Sequence, residues 1–271
     1  IIFMIAGTGA FLYFTFSANQ IINQGTRFAP YQIVIGIIGI AALIELTRRC
    51  VGLPILFVAG FFLIYALAVG LTNPAFLGRV KFLVRNLFYT KEGIFSTPVN
   101  VCSKYIVVFI IFGAFLERTG ITNFFIQLAN CIAGKYAGGP AKVAVISSAL
   151  CGMVSGSSVG NTVTTGSVTI PMMKDTGYKP EFAGAVEAAS STGGQIMPPI
   201  MGAAAFLMAD FVGVPYSNII VRAILPALLY FTGIFISVHL EAKKLGLSGI
   251  PKEKLPVFKL LIRKIYLLIP L

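Results

Sequence analysis

Two apolar stretches of this chain are each broken at their middle by residues that cannot continue a helix, and this constrains the fold more than any other feature. The first pair of apolar pieces covers residues 141–154 and 159–173, with Ser155-Gly156-Ser157-Ser158 between them. The second covers 181–192 and 197–209, parted by Gly193-Gly194-Gln195 and followed by Pro198-Pro199. A spanning helix needs roughly 20 apolar residues, so no single piece crosses a bilayer. Interrupted helices whose ends meet near the membrane midplane are the sequence pointer to a transporter's substrate and ion sites.

Composition makes the membrane setting unavoidable. Hydrophobic residues are 57% of the 271 and charged residues only 11%, with mean hydropathy +0.89, far from the roughly 25% charged residues of soluble domains. The net charge of +12 would suggest nucleic acid in a soluble chain. Here the basic residues sit in loops and at helix ends, where they report topology and contact with the headgroups of a lipid bilayer, so no nucleic-acid partner is expected. The four cysteines, Cys50, Cys102, Cys131 and Cys151, form no CxxC or metal pattern and read as free small apolar residues.

Apolar spans are expected at about 1–16, 31–46, 54–71 and 99–116, then the two broken pairs, then 214–240, where Pro215 and Pro226 predict a late start or a kink. Residues 79–91 and 120–135 suit interfacial helices. Turns are expected at Thr72-Asn73-Pro74, Gly138-Gly139-Pro140 and 176–180. Residues 1–16 lack a signal peptide's basic start and resemble a spanning helix cut at its beginning; the chain stops at Ile269-Pro270-Leu271 as a new apolar run begins, so it reads as part of something longer. With the first span running outward, 14 of the 21 basic residues fall inside, among them Arg48, Arg49, Lys142, Lys252, Lys254, Lys259 and Arg263, and 7 outside, including Arg27 and the unfavourably placed Arg79, Lys81, Arg85 and Lys91.

The tip of the first pair concentrates Ser155, Ser157, Ser158, Asn161 and Thr162 beside unwound backbone. Carbonyls freed at a helix end are hard oxygen ligands for a cation, while amides at the next helix start favour a carboxylate. The bland alternative is a Gly152, Gly156, Gly160 packing stripe. Gly156-Ser157-Ser158-Val159-Gly160 also matches G-x-S-x-G, the nucleophile elbow of serine hydrolases, which needs a strand before it and a histidine partner; the only histidine is His239. At the second break Gly193 and Gly194 permit unusual dihedrals, and Pro198 and Pro199 fit the first turn of a restarting helix; a simple proline kink is the alternative. Glu187 lies on the helix feeding this break and is a coupling candidate, through a proton or beside a cation, or else it bonds a neighbouring hairpin or reaches the interface. A passive channel is the remaining alternative.

Several tracts resemble the permease of tripartite ATP-independent periplasmic (TRAP) transporters, in the fused form that works with TAXI-type binding proteins. They are Glu117-Arg118-Thr119-Gly120, Gly138-Gly139-Pro140-Ala141-Lys142, Ser155-Gly156-Ser157 through Thr169-Ile170-Pro171-Met172, Gly177-Tyr178, Gly184 to Ala189, and Thr192 to Phe206. The resemblance implies an all-α integral membrane bundle in which 1–92 ends a small-subunit-like portion and 93–271 forms the first of two inverted repeats. That repeat holds a re-entrant hairpin at 141–173, a broken helix at 181–210 and a return span at 214–240, and moves as an elevator. It implies a cytoplasmic-membrane protein of a bacterium or archaeon, not an enzyme, that imports a small organic acid delivered by a periplasmic binding protein. The cofactor is Na+, held by Ser155, Gly156, Ser157, Asn161, Gly193, Gly194 and Gln195, with H+ coupling through Glu187 as the alternative. Substrate would meet Ser157, Ser158, Asn161, Thr162, Pro198 and Pro199, and a second hairpin would lie beyond Leu271.

Overall fold

The computed structural model describes residues 2–24, 28–69, 75–251, 255–256, 261–262 and 264–268. The expected turn at 72–74, the end of the third span, the basic residues Arg27, Lys252, Lys254, Lys259 and Arg263, and residues 269–271 lie outside these. Helix is the regular structure of the described residues, with no strand among them. They divide into two compact units, Ile1–Asn100 and Val101–Leu271.

In the first unit, α1 (Ile2–Gln24) runs eight residues past the expected end of its span, at 16. Its polar last turns are satisfied by tertiary bonds. The buried Gln32 amide donates to Tyr13 Oη at 3.2 Å and Gln24 Oε1 at 3.0 Å, while its own Oε1 accepts from Ala29 N at 2.8 Å. Helix α2 (Pro30–Cys50) presents Gly36 and Gly39 as a notch that Val84, Phe88 and Tyr89 fill from α4 (Phe76–Phe88) and its cap. Between them α3 (Leu53–Val69) has its last carbonyls capped by Arg79, whose guanidinium lies 3.2 Å from the oxygens of Leu67 and Ala68.

The second unit begins in the stretch Thr97–Arg118, made of α5 (Thr97–Val101), a π-turn at Cys102–Ile106 and α6 (Val107–Arg118). Helix α7 (Ile121–Ala133) follows Gly120 and buries Ile121, Phe124, Phe125 and Ala129. Then come α8 (Gly139–Ser155) and α9 (Ser158–Asp175), the two legs of a hairpin, and α10 (Pro180–Gly193), α11 (Ala203–Val212) and α12 (Tyr216–Lys244). The late start expected of the last span is observed, after Pro215. The hairpin base, α10 and α12 share a core of Ala141, Ala144, Met173, Tyr178, Ala183, Phe231, Val238 and Ala242. Small residues dominate it, as helix association in a membrane requires. Lys142, counted among the basic residues of the inner side from the sequence, is 4% exposed, its ammonium 5.4 Å from the centroid of Phe235.

Among the described residues Pro30–Cys50, Thr97–Arg118 and Tyr216–Lys244 are long and apolar enough to cross a membrane. Their outward faces carry exposed Ile, Val, Leu and Phe side chains, which bilayer hydrocarbon accommodates and water does not. The chain is a multi-pass helical membrane protein.

Candidate functional site

The hairpin turns over two residues. Gly156 ends α8 with φ 58, a left-handed cap that glycine adopts without strain, and its amide donates to Gly152 O at 3.1 Å. A Cβ here would strike the carbonyl of Met201. Ser157, extended, caps α9, its hydroxyl accepting from Gly160 N at 3.2 Å. The tip thus falls within the expected 155–158.

The second break differs from the expectation in extent. Helix α10 ends at Gly193 as anticipated, but α11 begins at Ala203 and not at 197. Pro198 and Pro199, joined by a cis peptide, therefore lie inside the break and are not the first turn of a restarting helix. Neither can donate a helical hydrogen bond, and tertiary bonds hold the intervening chain open. Ile200 N donates to Met153 O of the hairpin at 3.3 Å, Gly202 N closes a loop onto Gln195 O at 2.7 Å, and the Tyr216 hydroxyl donates to the carbonyls of Pro199 (2.9 Å) and Ile200 (2.6 Å). Met201, between these bonds, has φ 55, a conformation that side-chain-bearing residues adopt at strained functional sites.

The two breaks meet. Gly152 and Gly194 touch through their backbones: a Cβ on Gly194 would lie 2.8 Å from Gly152 Cα, and one on Gly152 would collide with Gly194 Cα. Gln195 Nε2 reaches Ser158 Oγ at 3.2 Å. Asn161, 1% exposed, donates from Nδ2 to Ser148 O at 2.8 Å, and its Oδ1 is a buried acceptor with no partner among the described residues, as is Ser190 Oγ one turn before Gly194. Buried acceptors of this kind are rare unless an ion or water fills them. Gly193 stands apart from this group, facing α12, where a Cβ would lie 2.5 Å from the Tyr230 ring. Of the expected substrate contacts, Ser157 is exposed, Ser158, Thr162 and Pro199 are half-buried, and Asn161 and Pro198 are buried. Thr162 Oγ1 is tied back to Ser158 O at 2.8 Å.

Glu187 is fully buried one level below. Its Oε1 accepts from Ser148 Oγ and Ser191 Oγ, both at 3.0 Å, and from Thr165 Oγ1; Oε2 accepts from Thr169 Oγ1 at 2.5 Å. Of the alternatives left open from the sequence, bonding to the neighbouring hairpin is what the geometry contains. The sequence gives no role to Ser148, and Thr169 stands there only inside a family-like tract. The available signal was the four-residue spacing of Asn161, Thr165 and Thr169, which puts all three on one face of α9.

The hydrolase elbow has no support in this geometry. Gly156–Gly160 joins helix to helix, where the elbow joins strand to helix. His239 lies on α12 three residues before Ala242, which packs against Gly138 at the base of α8, about 20 Å along the helix from the tip.

Residues 38–271 match the family described as Tripartite ATP-independent periplasmic transporter, DctM component. The chain belongs to this family. Among its relatives, the C4-dicarboxylate TRAP transporter large permease protein DctM of Pseudomonas aeruginosa is 27% identical over 60% of this chain and 38% of its own length. The protein of the same name from Vibrio cholerae is 28% identical over 54% of this chain and 31% of its own. The sialic acid TRAP transporter permease protein SiaT of Haemophilus influenzae is 26% identical over 53% of this chain and 23% of its own. These relatives are named as permeases and not as enzymes, and the chain spans less than two fifths of their length.

Proposed function

We propose that this TRAP family chain forms part of a secondary transporter of the cytoplasmic membrane of a bacterium or archaeon, which uses an ion gradient to import a small organic acid. The observation that carries this reading is the meeting of two helix interruptions at Gly152 and Gly194 beside the unpartnered Asn161 Oδ1. Spanning helices that only pack have no need of two adjacent breaks, and a continuous pore would not close backbone on backbone.

A sodium ion suits the donors present: the amide oxygen of Asn161, the hydroxyls of Ser155 and Ser157, and backbone carbonyls at Gly156, Gly194 and Gln195, all neutral oxygens. The ion would supply charge for an organic anion lying against Ser157, Ser158, Thr162 and Pro199. The start of α9, where the Ser157 hydroxyl already takes the Gly160 amide, would favour such an anion through the amides of Ser158 and Val159. A re-entrant hairpin that moves as an elevator would carry this wall across the membrane. Proton coupling is the second reading, favoured by the burial of Glu187 among hydroxyls alone. The partner proposed to deliver the substrate is a TAXI-type periplasmic binding protein, a reading that rests on the resemblance of the tract Gly184 to Ala189.

The test is uptake into proteoliposomes by the permease containing this chain, with its binding protein, under sodium and pH gradients imposed separately. Sodium-driven uptake with a sharply raised sodium requirement in Asn161→Ala is expected. Uptake at full rate without sodium that collapses with a protonophore would transfer the coupling role to Glu187.

A further inference from the structure

Between the hairpin tip and the helix facing it lies a half-open pocket of about 120 Å3, with Ile110, Ser157 and Ala203 exposed at its rim. Its chemistry is two-sided. Polar atoms come from Ser155, Gly156 and Ser157 at the tip, while the opposite wall is hydrocarbon from Ile106, Phe109, Ile110 and Phe206. That wall is held in place. Phe206 stacks on Tyr216 with centroids 4.4 Å apart and on Phe109 at 5.1 Å, and Tyr105 lies parallel to it at 5.9 Å. Ile106 is the last residue of the π-turn at Cys102–Ile106, an extra-wide turn of the sort found at functional sites.

We infer that the transported acid is a monocarboxylate with a compact, branched hydrocarbon tail: its carboxylate meets the tip and its tail enters this chamber. The inference rests on the tip being one wall of the substrate site. The size follows from volume, since about 120 Å3 falls somewhat short of the roughly 150 Å3 cavity that holds benzene. A tail of about four carbons fills it. A second carboxylate, or the hydroxyls of a sugar acid, would face Ile106, Phe109 and Phe206 with no donor or acceptor on that wall, and a buried polar group without a partner is strongly disfavoured. The chamber therefore separates this permease from relatives named for C4-dicarboxylate or sialic acid.

The experiment compares two acids with the same head: lactate, whose tail is a single methyl, and 2-hydroxy-4-methylpentanoate, whose tail is a four-carbon isobutyl group, with succinate as the third substrate. Initial uptake by the permease containing this chain, with its binding protein, is measured in proteoliposomes for wild type, for Phe109→Asn, which makes the wall polar, and for Ala203→Leu, which fills the chamber. In each variant the ratio of branched acid to lactate uptake should fall by about tenfold or more, because apolar pocket contacts discriminate at that level. Both variants share the wild-type binding protein, so a changed ratio belongs to the permease. Ratios that stay constant in both variants, or succinate carried as well as the branched acid, would overturn the inference while leaving the permease reading intact. No carboxylate uptake under any gradient would overturn both.

Discussion

Removing the Glu187 carboxylate tests the buried cage through proton counting. Its four hydroxyl donors are not equally dependent on it. Thr165 Oγ1 has a second acceptor in Asn161 O at 2.8 Å, Thr169 Oγ1 has Thr165 O at 3.0 Å, and Ser148 Oγ lies 3.2 Å from Thr165 Oγ1. Ser191 Oγ has no other acceptor among the described residues. In Glu187→Ala three hydroxyls fall back on these bonds and one is stranded, at about 1–3 kcal/mol, with a cavity term of about 2 kcal/mol or more added. In Glu187→Gln the carbonyl keeps the three donors on the Oε1 side. The amide donates to Thr169 Oγ1, which turns to Thr165 O, so only charge assistance is lost, about 1 kcal/mol, partly offset by burying a neutral group. At roughly 2–4 °C per kcal/mol, the alanine variant should unfold about 6–20 °C below wild type and the glutamine variant within about 4 °C. With no tryptophan in the chain, the readout is thiol-dye labelling of the buried Cys151 on heating, with the exposed Cys50 and Cys102 and the half-buried Cys131 replaced by Ser. Adding Ser191→Ala to Glu187→Ala should recover about 1 kcal/mol by removing the stranded hydroxyl. A glutamine variant as unstable as alanine would refute the cage, because it would mean that the charge itself faces a cation.

Gly152→Ala should destabilise by about 1–3 kcal/mol and abolish uptake, because its Cβ strikes Gly194; Gly184→Ala on α10, with nothing within 4 Å, should be neutral or gain a fraction of a kcal/mol in the same unfolding assay. Tyr216→Phe loses the bonds to the carbonyls of Pro199 and Ile200, so hydrogen exchange at Ile200 and Met201 should quicken by about tenfold, as loss of one to two hydrogen bonds implies. Lys142→Met keeps the buried stem and removes an ammonium that has no carboxylate partner among the described residues; it should unfold at or above the wild-type temperature, as replacing buried charge by apolar volume does.

The hairpin was legible in the sequence because its signals are local. Gly156 in a left-handed cap and Ser157 as an N-cap act within a single turn, and so does Pro140 at the start of α8. The second break was legible in place but not in length. Two prolines after a glycine pair look like a helix start by local rules, and bonds from Met153 and Tyr216, distant in sequence, help the Gly202–Gln195 closure keep residues 194–202 unwound. The same limit hid Ser148 and Thr169, which acquire meaning when α8, α9 and α10 pack around one carboxyl. The end of α1 was misjudged for a related reason. Its polar last turns lie past the apolar span, and Gln24 among them is held by Gln32, which also bonds Tyr13.

The crossing of Gly152 and Gly194 has a mechanical consequence. Two α-carbons in contact have no interlocking side chains, so a sliding displacement there meets no rotamer barrier and no teeth to disengage. Seven residues earlier on α10, about 10 Å along the helix, Glu187 is gripped from three helices. The hairpin is therefore clamped at one level and rides on a smooth bearing at the next. Stress applied at the tip would bend the Gly194–Gly202 strap before it disturbed the clamp.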